Sequence, residues 1–141
     1  MTIKLLKKSN NDIEEIKDIR KIVFNGELGI PEPCLFDEFD NTCEQFLIKN
    51  DEITIGTLRL RKENDYTKLE RMALLPKFRT VSFGFKAIDQ VKKYCLTKSE
   101  SKIFLDSIYD VKDFYKKCGF NEIGKTFERV GLLHIRMELL L

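Results

Sequence analysis

The stretch Lys68-Leu-Glu-Arg-Met-Ala-Leu-Leu-Pro76 reads as a strand, extending from about residue 67, that a proline stops. A few residues later Ala87, Ile88, Val91, Tyr94 and Cys95 recur at helical spacing. Between the two lies a short loop holding Arg79, Thr80, Ser82 and Gly84. This order of strand, loop and helix is the tightest constraint in the chain. A loop that feeds a helix N-terminus presents unpaired amide N–H groups and the positive end of the helix dipole. Such a place suits an anion, a pyrophosphate for example, although a tight turn without a ligand gives the same pattern.

The flanking segments are shorter and mostly extended. Residues 2–7 alternate enough for a first strand, and Asn10 or Asn11 can cap a helix striped by Ile13, Ile16, Ile19 and Val23. Residues 25–42 carry glycines, prolines and acids, which predicts a long loop or a broken helix. Two strands, residues 46–48 and 53–60, are expected to form a hairpin at Asn50-Asp51, and a further turn falls at Glu63-Asn-Asp65. After the central helix come a strand at 102–105, a helix at about 111–118 stopped by Gly119, and two final strands near 122–125 and 132–140. The expectation is one α+β domain over residues 1–141, a mostly antiparallel sheet of six to seven strands with about four helices.

Charge and cysteine content narrow the function. With 34% charged residues and a net charge of only +2, the basic groups are scattered and form no nucleic-acid stripe. No apolar run reaches the ~18–20 residues of a membrane span. The N-terminus lacks a signal-peptide core, so a cytoplasmic protein is expected. Cys34, Cys43, Cys95 and Cys118 show no paired spacing, and with one histidine, His134, they do not make a usual zinc set. Reduced, mostly buried thiols and no metal are expected.

Two blocks carry the chemistry. Leu74-Leu-Pro-Lys-Phe-Arg79 followed by Thr80-Val-Ser-Phe-Gly84 resembles the acetyl-CoA motif of the GCN5-related N-acetyltransferase (GNAT) family. There a strand leads through Pro-x-Tyr/Phe-Arg/Gln and Gly-x-Gly-x-Gly into a helix. Val111-Lys-Asp-Phe-Tyr-Lys-Lys-Cys-Gly-Phe120 is similar to the family's second block, Val-x-Phe-Tyr-x-x-x-Gly-Phe. The stretches Val23-Phe-Asn-Gly-Glu-Leu-Gly-Ile-Pro31, Phe36-Asp-Glu-Phe-Asp40 and Gly131-Leu-Leu-His-Ile-Arg-Met-Glu138 resemble small bacterial members. Thr80 and Ser82 stand where the pattern has glycine. Side chains cost conformational energy at positive φ, so either the loop is rebuilt or cofactor binding weakens.

The resemblance implies a GNAT fold and acetyl-CoA as co-substrate, without metal. Its cofactor contacts fall on Met72, Ala73 and Leu74, on the loop Arg79, Thr80, Val81, Ser82, Phe83 and Gly84, and on Phe114 and Tyr115. Tyr115 is implied as the acid that protonates the thiolate. Glu70 and Asp106 match carboxylates of glucosamine 6-phosphate N-acetyltransferases, which makes that amino-sugar phosphate the expected acceptor. A strand residue and a turn residue are the plain alternatives for the pair, and a packing ring for Tyr115. His134 is a reserve base. Another small amine or protein lysine as acceptor, or a binding module without turnover, stays open. The apolar last strand is expected to be an edge that pairs in a homodimer.

Overall fold

The computed structural model describes residues 2–141, apart from the side chain of Val81. Seven strands form one sheet: β1 (Ile3–Lys8), β2 (Glu44–Asn50), β3 (Ile53–Glu63), β4 (Tyr66–Leu74), β5 (Lys102–Ile108), β6 (Asn121–Arg129) and β7 (Leu132–Leu140). Their spatial order is β1-β2-β3-β4-β5-β7-β6, antiparallel throughout except where β4 lies beside β5. The α-helices are α1 (Glu14–Arg20), α2 (Val81–Thr97) and α3 (Lys112–Lys117). This is the expected α+β architecture.

The sheet is covered on both faces, as its alternation dictates. In β2, Phe46 and Ile48 enter a core with Ala87, Ile88, Val91 and Cys95 of α2, while Leu47 between them meets the isoleucines of α1. The Ile13, Ile16, Ile19 and Val23 stripe packs there as its spacing predicts. Asp51 and Asn64 take positive φ at the two expected turns, a conformation Asp and Asn tolerate. Cys43, Cys95 and Cys118 are buried and free, and Cys34 is exposed.

The structure corrects two expectations and decides between the alternatives of a third. Neither asparagine caps α1, whose N-cap is Ile13 without a side-chain bond. Asn10 instead donates to the carbonyls of Asp40 (2.7 Å) and Cys43 (2.9 Å), tying down the following loop. Residues 25–42 follow the broken-helix alternative: the α1 helix runs on as a π-helix over Lys21–Glu27, and 3₁₀ turns occupy Glu32–Leu35 and Glu38–Asn41. Finally, β7 is not an edge. It lies between β5 and β6, so its apolar residues meet neighbours within the chain.

Two irregularities position the site. The parallel β4–β5 pair has only three register partners, ending at Lys68 and Phe104, after which the strands diverge. On its other side β4 carries a bulge: Ala73 faces Thr57 and Glu70 faces Arg59, so Arg71 and Met72 together oppose Leu58. Arg71 has φ +54° there. Gly56 closes β3 against this bulge, since a Cβ at that position would lie 2.3 Å from the Ala73 carbonyl oxygen.

Candidate active site

Where β4 and β5 part, each strand keeps one edge without a strand partner, and a cavity of about 490 Å³ opens between them. Glu70 to Leu74 form one wall and Leu105 to Ile108 the other. Val23, Phe24, Leu28 and Ile30 close the side beyond α1, and Arg129, Val130 and His134 the side at the β6–β7 turn.

The loop expected to hold the cofactor lines the cavity through Arg79, Thr80 and Gly84. Thr80 is the N-cap of α2, in extended conformation at φ −82°, and no acidic residue occupies the first turn of that helix. Neither Thr80 nor Ser82 has positive φ, so replacing the family glycines here carries no backbone cost. The first amides of α2 remain without intrahelical partners, which fits a pyrophosphate. Gly84 is required by packing: a Cβ there would lie 2.6 Å from the Phe114 ring. Arg79 donates to the Leu74 carbonyl (2.9 Å) and forms a two-pronged ion pair with Glu27. The Arg79 hydrogen bonds hold the Glu27 carboxyl below its ordinary range.

Tyr115 lines the cavity, stacked edge-on between Phe114 (5.0 Å) and Phe120 (5.8 Å). Burial pushes its phenol above the ordinary value. That makes it a reluctant acid at neutral pH and a good neutral hydrogen-bond donor.

Glu70 and Asp106 do reach the same cavity, but neither is free. Glu70 accepts from Arg59 (3.1 Å) and Arg61 (3.0 Å) and pairs with Lys68 at 3.3 Å. Asp106 takes Lys68 (3.2 Å), Arg129 (3.1 Å) and Arg136 (2.8 Å). Burial would raise both carboxyls; the cations outweigh it and hold both below the ordinary range. A carboxylate so held is a weak proton acceptor.

Behind Glu70 the ionic chain continues. Arg59, with no exposed side-chain surface, also grips Asp37 (2.7 and 2.8 Å) and Asp40 (2.9 Å). Asp40 in turn binds Arg20 through two N–H groups, at 3.1 and 3.0 Å. This buried network clamps residues 35–43 over the sheet.

His134, buried on β7, has its ring parallel to Phe127 at 5.7 Å. Its Nδ1 is 2.9 Å from the Leu132 carbonyl oxygen. A carbonyl only accepts, so Nδ1 is the donor in this contact.

The structure therefore gathers Glu70, Asp106 and Tyr115 with Met72, Ala73, Leu74, Arg79, Thr80, Gly84 and Phe114 on one cavity. Ser82 and Phe83 do not line it; Phe83 packs edge-on against Phe78. The expected contact of the Val81 side chain lies outside the described residues. In the sequence Arg71 is one of seven basic residues, with Arg59, Arg61, Lys116, Lys117, Arg129 and Arg136, that could bind a substrate phosphate or decorate a solvated face, and a bulge leaves no periodic trace to single it out.

A family model described as an acetyltransferase (GNAT) domain matches residues 32–141. A Bacillus subtilis (strain 168) protein bearing an acetyltransferase name is 30% identical over 132 residues, covering 92% of this chain and 90% of the relative. A crystal structure of a protein from Lactobacillus plantarum named as an N-acetyltransferase superposes with a TM-score of 0.88 at 19% identity, over 100% of this chain and 99% of the other. The spermidine N-acetyltransferase of Vibrio cholerae gives 0.76 at 18% identity, over 99% and 95%.

Proposed function

The chain belongs to the GNAT acetyltransferase family, with acetyl-CoA as co-substrate, and from that premise we propose that it acetylates a small primary amine in the cavity between β4 and β5. The observation that carries the reading is the splay itself. It sets the unpaired edge of β4, the N-terminus of α2 and Tyr115 around one space of a size suited to a small ligand.

Acetyl-CoA supplies a thioester whose carbonyl an amine can attack. The amine must then lose a proton, and the departing sulfur must gain one. His134 is a better acceptor for the first proton than Glu70 or Asp106, since its Nε2 faces no donor among the described residues while each carboxylate faces three cations. Tyr115 is the donor toward the sulfur. Glucosamine 6-phosphate loses its main support, because the carboxylates that suggested it are already neutralised, and no relative reported above bears an amino-sugar name. Another small amine is the better reading.

The test is release of free CoA thiol from acetyl-CoA over a panel of small amines, with an amine-free control. Amine-dependent release is expected. Acetyl-CoA binding without such release would leave a binding module instead.

A further inference from the structure

We propose that the acceptor amine carries an acidic group, a carboxylate or a phosphate, and that Arg71 binds it. The inference rests on the acetyl-transfer reading above and narrows its substrate.

Arg71 lies on the cavity wall between Glu70 and Met72, at the positive-φ position of the β4 bulge. Side-chain-bearing residues seldom hold that conformation, and where they do it often serves a site. The bulge places both Arg71 and Met72 on the cavity. The Arg71 guanidinium, about a quarter exposed, donates Nε to the Leu35 carbonyl (3.3 Å) and Nη2 to Asp37 (3.2 Å). Its Nη1 has no partner among the described residues. Asp37 is a shared partner, because Arg59 already holds both of its oxygens at 2.7 and 2.8 Å. Burial and the charges of Arg59 and Arg20 act against the positive form of Arg71, while Asp37 and Glu70 compensate only in part. A partly buried guanidinium with a spare N–H and too little negative charge beside it is a receptor for an oxyanion.

The rest of the wall has the same bias. Traced through its ion pairs, the network runs from Arg20 by Asp40 to Arg59, which branches to Asp37 with Arg71 and to Glu70. It goes on through Arg61 with Glu63, then Lys68, Asp106, Arg129 and Arg136. Cations outnumber carboxylates along it by two, so one incoming acidic group improves the balance. Arg129, which also lines the cavity and is half exposed, uses only Nη1 on Asp106. A polyamine fits poorly by the same logic. It would bring further ammonium groups to a wall whose Glu70 and Asp106 each already face three cations.

Three acceptors of similar length, 3-aminopropanoate, 2-aminoethyl phosphate and propylamine, together with the longer spermidine, separate the possibilities, each assayed by amine-dependent thiol release. At least one acid-bearing amine is expected to exceed propylamine about tenfold or more in kcat/KM, and which one leads identifies the oxyanion. In Arg71→Gln, KM for that amine rises about tenfold or more with kcat little changed, as for loss of uniform binding. The loss for propylamine is several times smaller than for the acid-bearing amine, and Arg71→Lys recovers part of the latter. Circular dichroism and acetyl-CoA affinity equal to wild type show that the variants are folded. Preference for propylamine or spermidine would overturn the acid subsite alone, as would an equal fall in kcat for every amine in Arg71→Gln. Absence of thiol release with every amine would overturn the transfer reading and this inference with it.

Discussion

Replacing Asp40 by asparagine changes almost no volume but removes the charge that holds two buried arginines. Asp40 accepts two N–H groups from Arg20, one from Arg59 and one from Gln45, at 2.9–3.1 Å, and neither arginine side chain is exposed. Arg59 keeps Asp37 and Glu70 as counter-ions in the variant, whereas Arg20 keeps only the neutral oxygens of Gln45 and Leu35. The loss is therefore that of one uncompensated buried cation, about 3–5 kcal/mol. Against a typical stability of 5–15 kcal/mol that is a large share. With a urea dependence of about 2 kcal/mol per molar, the unfolding midpoint falls by roughly 2 M. Urea titration followed by circular dichroism measures it. Removing the stranded cation as well, in Arg20→Met with Asp40→Asn, should cost less than the two single losses added. A loss below about 1 kcal/mol in Asp40→Asn would refute the argument, since that is the scale of an exposed pair. The pH dependence gives an independent reading. Burial opposes the Asp40 charge, but Arg20, Gln45 and Arg59 hold its folded pKa below the ordinary 3.8. Its stabilisation is complete well above that unfolded value and is lost as pH falls toward the folded one. The wild type thus loses stability as pH drops below about 4, and Asp40→Asn lacks this residue's share of that fall.

Three further substitutions address the candidate active site. Gly84→Ala drives a Cβ into the Phe114 ring, at 2.6 Å before relaxation, so acetyl-CoA affinity by calorimetry should fall at least severalfold with the helix content kept; equal affinity would show that Phe114 does not shape the cofactor site. His134→Gln should lower kcat by about 10²-fold at neutral pH, and the deficit should shrink as pH approaches the amine's own pKa, because a neutral amine needs no proton acceptor. A deficit independent of pH would make His134 a packing residue. Tyr115→Phe should cost about tenfold in kcat, the value of one neutral hydrogen bond, with KM for acetyl-CoA little changed; a fully active variant would reduce Tyr115 to its ring.

Local pattern made much of the fold legible. The strand stopped at Pro76, the helix spacing from Ala87 to Cys95 and the Phe114-Tyr115 block led to β4, α2 and α3 in order, because each depends on residues close in sequence. The site was legible only as a set of positions. Glu70 and Asp106 do face one cavity, yet Arg59 and Arg136, which decide their charge state, lie across neighbouring strands. Spacing along the chain contains nothing about such pairings. The bulge at Arg71 and the divergence after Lys68 are register effects, set by how β3, β4 and β5 fit together. The interior place of β7 was missed for a related reason: a hydrophobic last strand looks the same at a border or one strand inside it.

The sheet's two outer borders differ from the strand edges inside the cleft. On β1 the border carries Lys4, Lys7 and Lys8, and on β6 it is broken by a register shift between Ile123 and Phe127, with Lys125, Glu128 and Arg129 nearby. Lysines and bulges are the usual guards against strand-to-strand aggregation. The cleft edges of β4 and β5 lack a strand partner but face each other across a cavity within the chain, where a second molecule's strand has no open approach. The protein can thus offer backbone amides to a ligand without becoming adhesive to its own copies. Strand-to-strand pairing between copies is disfavoured at both outer borders of the sheet.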